Sequence, residues 1–300
     1  MANYDLYSIS IITPSFQQRP FVESTLRSVL EQEGDFELDY IVVDGGSTDG
    51  TVEVLQDFEQ QVKSGRWKTR CRKIDFRWSS QKDRGQSDAI NKGFAQSRGD
   101  VMAWLNSDDI YLDARVITKV VDHFRRRSSV QLLYGKGYGI DREGRVLRQE
   151  DYVTEFPIED LPEIDMILQP AAFWRREVWE AIGELNTGLH FVMDWEYWLR
   201  CAAHYRLEFF DEFLACNRLY ETNKTLSGGI ARKREIAELL LTRGNFTERA
   251  IQSYLAAPQA PQGAPLDAKP QRTLRKMGRY LEQRVRGMRD RLLGWKKKTA

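Results

Sequence analysis

The sequence is poor in the residues that build most metal and redox centres. Cysteine occurs three times, at Cys71, Cys201 and Cys216, an odd number set far apart. These give no zinc-ligand spacing and no disulfide framework, so a reducing, cytoplasmic setting is expected. The three histidines, His123, His190 and His204, are also scattered. His123 and His204 fall on helical stretches as solvated residues, while His190, four residues before Asp194, is within reach of a site. No run nears the roughly 18 apolar residues of a membrane span. Met1–Ser10 carries Asp5 and no basic stretch ahead of its apolar residues, so no signal peptide is expected there. No G-x-x-x-x-G-K-[ST] loop is present. Gly135-x-Gly137-x-Gly139 neither follows the first strand nor opens a helix. It reads as a turn, and a nicotinamide fingerprint is absent where one would have to be. No internal repeat is found.

What is present is enough apolar residue, 41 % of the chain, for one sizeable core. The net charge of +1 conceals an asymmetry. Residues 269–298 hold twelve Lys and Arg against Glu282 and Asp290, a local +10 that leaves −9 for the rest. Ahead of that tail, residues 256–270 form a proline-rich linker. Beyond the linker, Leu274, Met277, Leu281, Val285, Met288, Leu292 and Trp295 recur every three or four residues, one apolar stripe on a basic helix. The organisation expected is a domain over 1–255, a linker over 256–270 and a basic amphipathic helix over 271–300. The tail calls for an anionic surface through residues 271–298, and no nucleic-acid partner is expected. A solvated helix on the body, or one that mediates self-association, is the alternative for the tail.

Strand and helix alternate from the start. Ser8–Thr13 is a β-branched strand stopped by Pro14, and helical spacing follows in Phe21, Leu26, Val29 and Leu30. Tyr40–Val43 is a second strand, and Asp49 is placed to cap the helix carrying Val52, Leu55, Phe58 and Val62. Such alternation calls for right-handed crossovers and a mostly parallel sheet. Residues 64–80 show no usable pattern. Val130–Tyr134 is a strand, and Tyr138–Ile140 with Arg145–Leu147 form a hairpin around Glu143-Gly144. Leu207–Phe210 and Phe213–Leu219 read as two last strands.

The stretch with most chemical content is Val101–Asp109, V-M-A-W-L-N-S-D-D. A buried strand ends abruptly in Asn106, Ser107, Asp108 and Asp109. Adjacent carboxylates at the mouth of a core repel and call for a cation, although a helix-capping loop would also use them. In a parallel α/β sheet ligands bind at the carboxyl ends of strands. Three such ends converge in this reading. Pro14-Ser15-Phe16 offers an aromatic face, Asp44-Gly45-Gly46 a carboxylate on a turn a ligand can approach, and Asn106–Asp109 the acidic pair. Together they suit a nucleotide diphosphate with Mg²⁺ or Mn²⁺. Each has a plainer reading: Phe16 as core, Asp44 as a turn residue. Asp194, between Phe191-Val192-Met193 and Trp195, is the candidate base, with a helix N-cap as its alternative.

At this point the motifs resemble a family 2 glycosyltransferase of the GT-A fold, the inverting family that includes bacterial polysaccharide and O-antigen sugar transferases. The carriers are Ile9–Phe16, Ile41–Thr51, Asp83-Arg84-Gly85 with Asp88–Gly93, Gly99-Asp100, Leu105–Asp109, Gln169-Pro170 with Phe173–Arg176, and Asp194–Arg200. The match covers roughly residues 7–228, and its strength lies in their joint order. The resemblance implies a Rossmann-like central sheet flanked by helices. It implies that Pro14, Phe16, Asp44, Asp83, Asn106, Ser107 and Asp108 line the nucleotide-sugar site. Phe16 would stack on the base and Asp44 accept from it. Asn106-x-Asp108 takes the D-x-D position, with Asp108 holding the metal. Asp194 would deprotonate the acceptor hydroxyl in a single inverting displacement. Two departures stand out: Asn106 replaces an Asp, and Tyr220 replaces a common histidine that could be a second metal ligand. Arg218 or Lys224 would then meet phosphate charge.

The reading is a metal-dependent inverting glycosyltransferase using a nucleotide-diphosphate sugar, UDP-linked, with a glycan or lipid-linked acceptor of surface polysaccharide synthesis. Its place is the cytoplasm, peripheral on the inner face of the membrane. A non-catalytic nucleotide-sugar binding or scaffold protein on the same fold is the rival, for which Asn106 and Tyr220 leave room.

Overall fold

The computed structural model describes residues 7–150, 157–245, 247–250 and 253–254. The linker over 256–270 and the helix over 271–300 lie outside the described residues. A nine-stranded sheet organises the rest. Its first half is parallel, in the order β3 (Lys73–Ser80), β2 (Glu37–Asp44), β1 (Ser8–Ser15), β4 (Val101–Trp104). Helices α1 (Val22–Leu30), α2 (Thr51–Lys63) and α3 (Gln86–Gln96) make the crossovers. Strands β1, β2 and β4 are buried almost throughout, as strands covered on both faces must be.

β1 does not stop at Thr13. It runs through Pro14 to Ser15, in register with β2 to Asp44. On its other side the pairing with β4 ends at Ile12↔Trp104. Pro14 stands beyond that point, where a missing N–H breaks no ladder with β4. β3 was not legible because it is the sheet edge: only Phe76 on it is buried, so it lacks an alternating pattern. Asp49 sits one residue outside the cap of α2, which is Gly50 in a left-handed conformation, and it binds Thr51 and the Arg19 backbone instead.

Beyond β4 the sheet is mixed. β8 (Ala172–Arg175) is antiparallel to β4 and to β6 (Leu132–Ile140), β9 (Leu207–Arg218) runs parallel to β6, and β5 (Ile110–Tyr111) closes the edge. Between β5 and β6 lies α4 (Val116–Arg126), whose valines, Ile117 and Phe124 are buried. β7 (Val146–Gln149) folds back on β6 as the expected hairpin, with Gly144 at φ 85° in the turn. Gly135, Gly137 and Gly139 are not a turn. They are strand residues where neighbours approach too closely for a side chain: a Cβ on Gly137 would lie 2.3 Å from both the Ala215 carbonyl oxygen and Leu168 Cδ2. The two last strands are one. The register against β6 shifts from Tyr134↔Phe209 to Lys136↔Phe213, so Asp211 and Glu212 are a bulge. After β8 come α5 (Arg176–Ile182), α6 (Met193–Ala202), α7 (Lys224–Ser227) and α8 (Gly229–Arg243).

An aromatic cluster fixes α6 to the sheet. Trp104 of β4 stacks on Trp198 of α6 at 5.5 Å between centroids and 7° between planes. Trp174 of β8 meets both edge-on. All three are fully buried. The strand that delivers Asn106–Asp109 and the helix that carries Asp194 are therefore one packed unit.

Candidate active site

A cavity of about 1420 Å³ opens at the carboxyl ends of β1, β2 and β4. It exceeds the 300–1,000 Å³ typical of single-ligand pockets, enough for a donor and an acceptor together. Pro14, Phe16, Asp83, Asn106, Ser107, Asp108 and Asp194 all line it. Asp44 does not. It is buried beneath Gly45 and Gly46, which do.

Phe16 is 59 % exposed, so it is not core. A large aromatic ring left in water at a cavity wall is an unused stacking surface. Gly45 separates it from Asp83: a Cβ there would meet Asp83 Oδ2 at 2.9 Å and Phe16 Cδ2 at 3.3 Å. Asp83 Oδ1 accepts the Gly85 backbone N–H at 2.8 Å. The Asp44 carboxylate holds the turn, accepting from the Gly46 and Ser47 backbones, Ser80 Oγ and Ser47 Oγ. Its turn role is thus real, and Oδ1 takes only the Ser47 hydroxyl among the described residues.

Asn106 is the centre of a hydrogen-bonded chain. Lys224 Nζ donates to Gln86 Oε1 at 2.6 Å, and Gln86 Nε2 donates to Asn106 Oδ1 at 2.7 Å. Asn106 Nδ2 donates to Gln169 Oε1 at 3.0 Å and to Asp109 Oδ2 at 3.1 Å. Gln169 in turn donates to the Trp104 carbonyl at 2.8 Å. An amide is required at 106 because two acceptors face its nitrogen.

The acidic pair splits its duties. Asp109 is buried and turned inward, accepting the Arg218 backbone N–H at 2.9 Å. Burial and then the charge of Asp108 push its carboxyl well above the usual range. Asp108 is half-buried and lines the cavity. Burial raises it too, opposed by a hydrogen bond from Tyr220, whose hydroxyl donates to Oδ2 at 2.8 Å. Among the described residues no group of three His, Cys, Asp or Glu could hold a metal ion. Among the described residues Asp108 is part of no such group.

Of the two cations expected near phosphate, Arg218 is unavailable. It is buried, and its guanidinium donates to the carbonyls of Asp108, Asp141 and Arg142. Lys224 is half-buried on the cavity wall. Burial draws its ammonium down to about 8, against the pull of the Asp194 and Glu235 carboxylates.

Asp194 lies in the first turn of α6, whose N-cap is Val192. It is not the cap. Its Oδ1 accepts the Trp195 N–H at 2.9 Å, and burial raises its carboxyl above the ordinary value. The segment before it is clamped by Glu235 of α8, which accepts the backbone N–H groups of His190, Phe191 and Val192. Sequence reasoning missed Glu235 and also Asp165, a cavity-lining carboxylate raised well above the usual range by burial and by the charge of Asp194. The signal for Asp165 was a lone acid among Ile164, Met166, Ile167 and Leu168.

The sequence profile of glycosyl transferase family 2 matches residues 10–183, more than half of the chain. The chain is 28 % identical over 195 residues to an uncharacterised glycosyltransferase of Mycobacterium tuberculosis, covering 65 % of this chain and 69 % of the relative. It is 28 % identical over 198 residues to a PGL/p-HBAD biosynthesis glycosyltransferase of Mycobacterium bovis, covering 65 % and 70 %. Among solved structures it resembles S. aureus TarS in complex with UDP-GlcNAc, with a TM-score of 0.59 at 16 % identity, over 80 % of this chain and 67 % of that one. It also resembles a mannosyltransferase from Pyrobaculum calidifontis in complex with GDP-Man and Mn²⁺, with a TM-score of 0.55 at 15 % identity, over 85 % and 66 %. These structural likenesses show the GT-A fold.

Proposed function

The chain belongs to glycosyl transferase family 2 and is a glycosyltransferase, and from that premise we propose that it moves a sugar from a nucleotide diphosphate, UDP-linked, to a hydroxyl of a glycan or lipid-linked acceptor with inversion. The observation that carries this reading is one cavity lined by Asp108, Lys224 and Asp194, with Phe16 exposed in it. Phe16 stacks on the base beside Asp83. Asp44 keeps the glycine turn low enough for the base to approach and has Oδ1 in reserve. Ser107 and Pro14 shape the walls.

Asp194 takes the proton of the acceptor hydroxyl. The oxygen attacks the anomeric carbon, and the bond to the diphosphate breaks on the opposite face with its electron pair leaving on phosphate. Lys224 meets that charge. Asp108 would hold Mn²⁺ or Mg²⁺, which when bound supplies further positive charge to the diphosphate. With one protein carboxylate available, the ion is expected to bind with the nucleotide and not before it. The name of the M. bovis relative and the UDP-GlcNAc complex of TarS support a glycolipid or glycan product and a UDP donor. The basic stripe over 271–298 would hold the enzyme on anionic lipid, on the inner face of the membrane, where lipid-linked acceptors reside.

The test is Asp194→Asn. Sugar transfer is expected to be lost while UDP binding, read by thermal shift with and without Mn²⁺, persists. Retained transfer would remove Asp194 as the base. An unaltered protein that binds nucleotide but turns over no donor would favour a scaffold.

A further inference from the structure

Asp165 lines the cavity and, like Asp109 and Glu150, is a carboxylate that the reaction above does not use. Its neighbours in sequence, Ile164, Met166 and Ile167, are buried. Its Oδ1 is buried and has no hydrogen-bond partner among the described residues. A charged carboxylate oxygen without a donor is costly out of water, and a proton on it removes that cost.

The surroundings say where such a proton would point. Three elements bring titratable groups to Asp165: Asp194 from α6, Arg232 from α8, and Tyr254 from the end of the described chain. The Tyr254 hydroxyl accepts from the backbone N–H of Asp165, and its ring packs on Trp195, the residue after Asp194, at 5.3 Å. Asp194 is the better placed of the two to stay charged. It has the Trp195 N–H and two cations, Lys224 and Arg232, whereas only Arg232 attracts Asp165. Asp165 and Asp194 line one cavity and are linked through Tyr254, which holds the Asp165 backbone and packs on Trp195; two carboxylates in one poorly solvated site resist ionising together, and one proton serves both.

We propose that Asp165 carries a proton and donates it as a hydrogen bond to Asp194, so that the two carboxyls act as one base with Asp165 as its positioning residue. This rests on the reading of Asp194 as the base. During transfer the acceptor proton passes to Asp194 while the glycosidic bond forms and the bond to phosphate breaks. Asp165 keeps its own proton, and the pair returns one proton to water afterwards.

The titration arm of the test needs no identified acceptor. Carbon-13 NMR of Cγ-labelled aspartates in the full chain should show the pair losing protons in two steps separated by more than about one pH unit. Asp165→Asn, which keeps a donor, should abolish the upper step, and Asp194→Asn should abolish it too. An upper step that survives in either variant overturns the pairing, because it then belongs to one isolated group. A single step in the unaltered protein also overturns it. In transfer assays Asp165→Asn should stay within about threefold of the parent, while Asp165→Ala should lose about tenfold in kcat with donor KM unchanged. Equal activity of the two variants counts against the hydrogen bond. If Asp194→Asn keeps transfer while the upper step vanishes in both variants, the base assignment fails and the pair stands. If Asp194→Asn is inactive and the groups titrate independently, the pair fails and the base stands.

Discussion

At Asn106 the hydrogen-bond partners decide which side chain the position accepts. An Asp there would face Asp109 Oδ2 and Gln169 Oε1 with no proton to give. Asn106→Asp is therefore expected to destabilise the fold by roughly 2–4 kcal/mol, not to improve a metal site. Thermal melting should show a larger loss at pH 8 than at pH 5, where the new carboxyl and Asp109 are more protonated. Lys224 gives the second residue-scale prediction. It is protonated below about 8 and loses its charge above it. kcat/KM should fall as pH rises through that value, since this ratio reports the free enzyme. Lys224→Arg should carry the plateau to higher pH, and Lys224→Ala should lose activity at every pH. The same depression means that burying the charge costs stability below pH 8, a cost relieved between pH 8 and 10.5. Asp108 and Asp194 were legible because each interrupts an apolar run. Asp165 does so too, but in a stretch broken by Pro157, Pro162 and Pro170, where no helix or strand period marks it. Its partners, Asp194, Arg232 and Tyr254, lie 29 or more positions away in sequence, and no local pattern could have named them.

Elements carry the site by close approach. β6 holds three glycines because β9 and Leu168 crowd Gly135 and Gly137, while Leu219 and Glu150 crowd Gly139. Gly137→Ala would press a methyl group onto the Ala215 carbonyl, a backbone atom that cannot step aside. A loss above about 2 kcal/mol in denaturant unfolding is expected, typical of overpacking. Helix α6 is held differently, by the Trp104–Trp198 stack behind it and by Glu235 in front. Glu235→Ala frees three backbone N–H groups of the segment leading to Asp194. Transfer should fall by about tenfold or more while UDP affinity is kept, because the nucleotide wall is built from β1, β2 and β4. The parallel half of the sheet was readable from alternating strand and helix signals. The edge strand β3 and the bulged β9 were not, since one lacks a buried face and the other carries Asp211 and Glu212 in mid-strand.

At the scale of the whole molecule the charge is divided. Residues 269–298 carry +10 and the remainder −9, so the chain as a whole reads +1 and nearly neutral. A neutral total hides a dipole that matters only at a charged surface. The apolar spacing from Leu274 to Trp295 among basic residues is the sequence pattern on which we base the proposal of anionic-lipid binding by the tail. Among the described residues no helix is long and apolar enough to cross a membrane. The proposed membrane contact is assigned to the tail on its charge and apolar spacing. A chain ended at Ala257 should keep its transfer rate toward soluble acceptors, because among the described residues the lining of the cavity ends at Tyr254. It should lose sedimentation with phosphatidylserine vesicles, and the full chain should lose it as salt rises from 0.1 to 0.5 M, since about 1 kcal/mol per basic residue near the surface is screened. Binding by the shortened chain equal to that of the full one would sink the membrane role and leave the tail free for another partner.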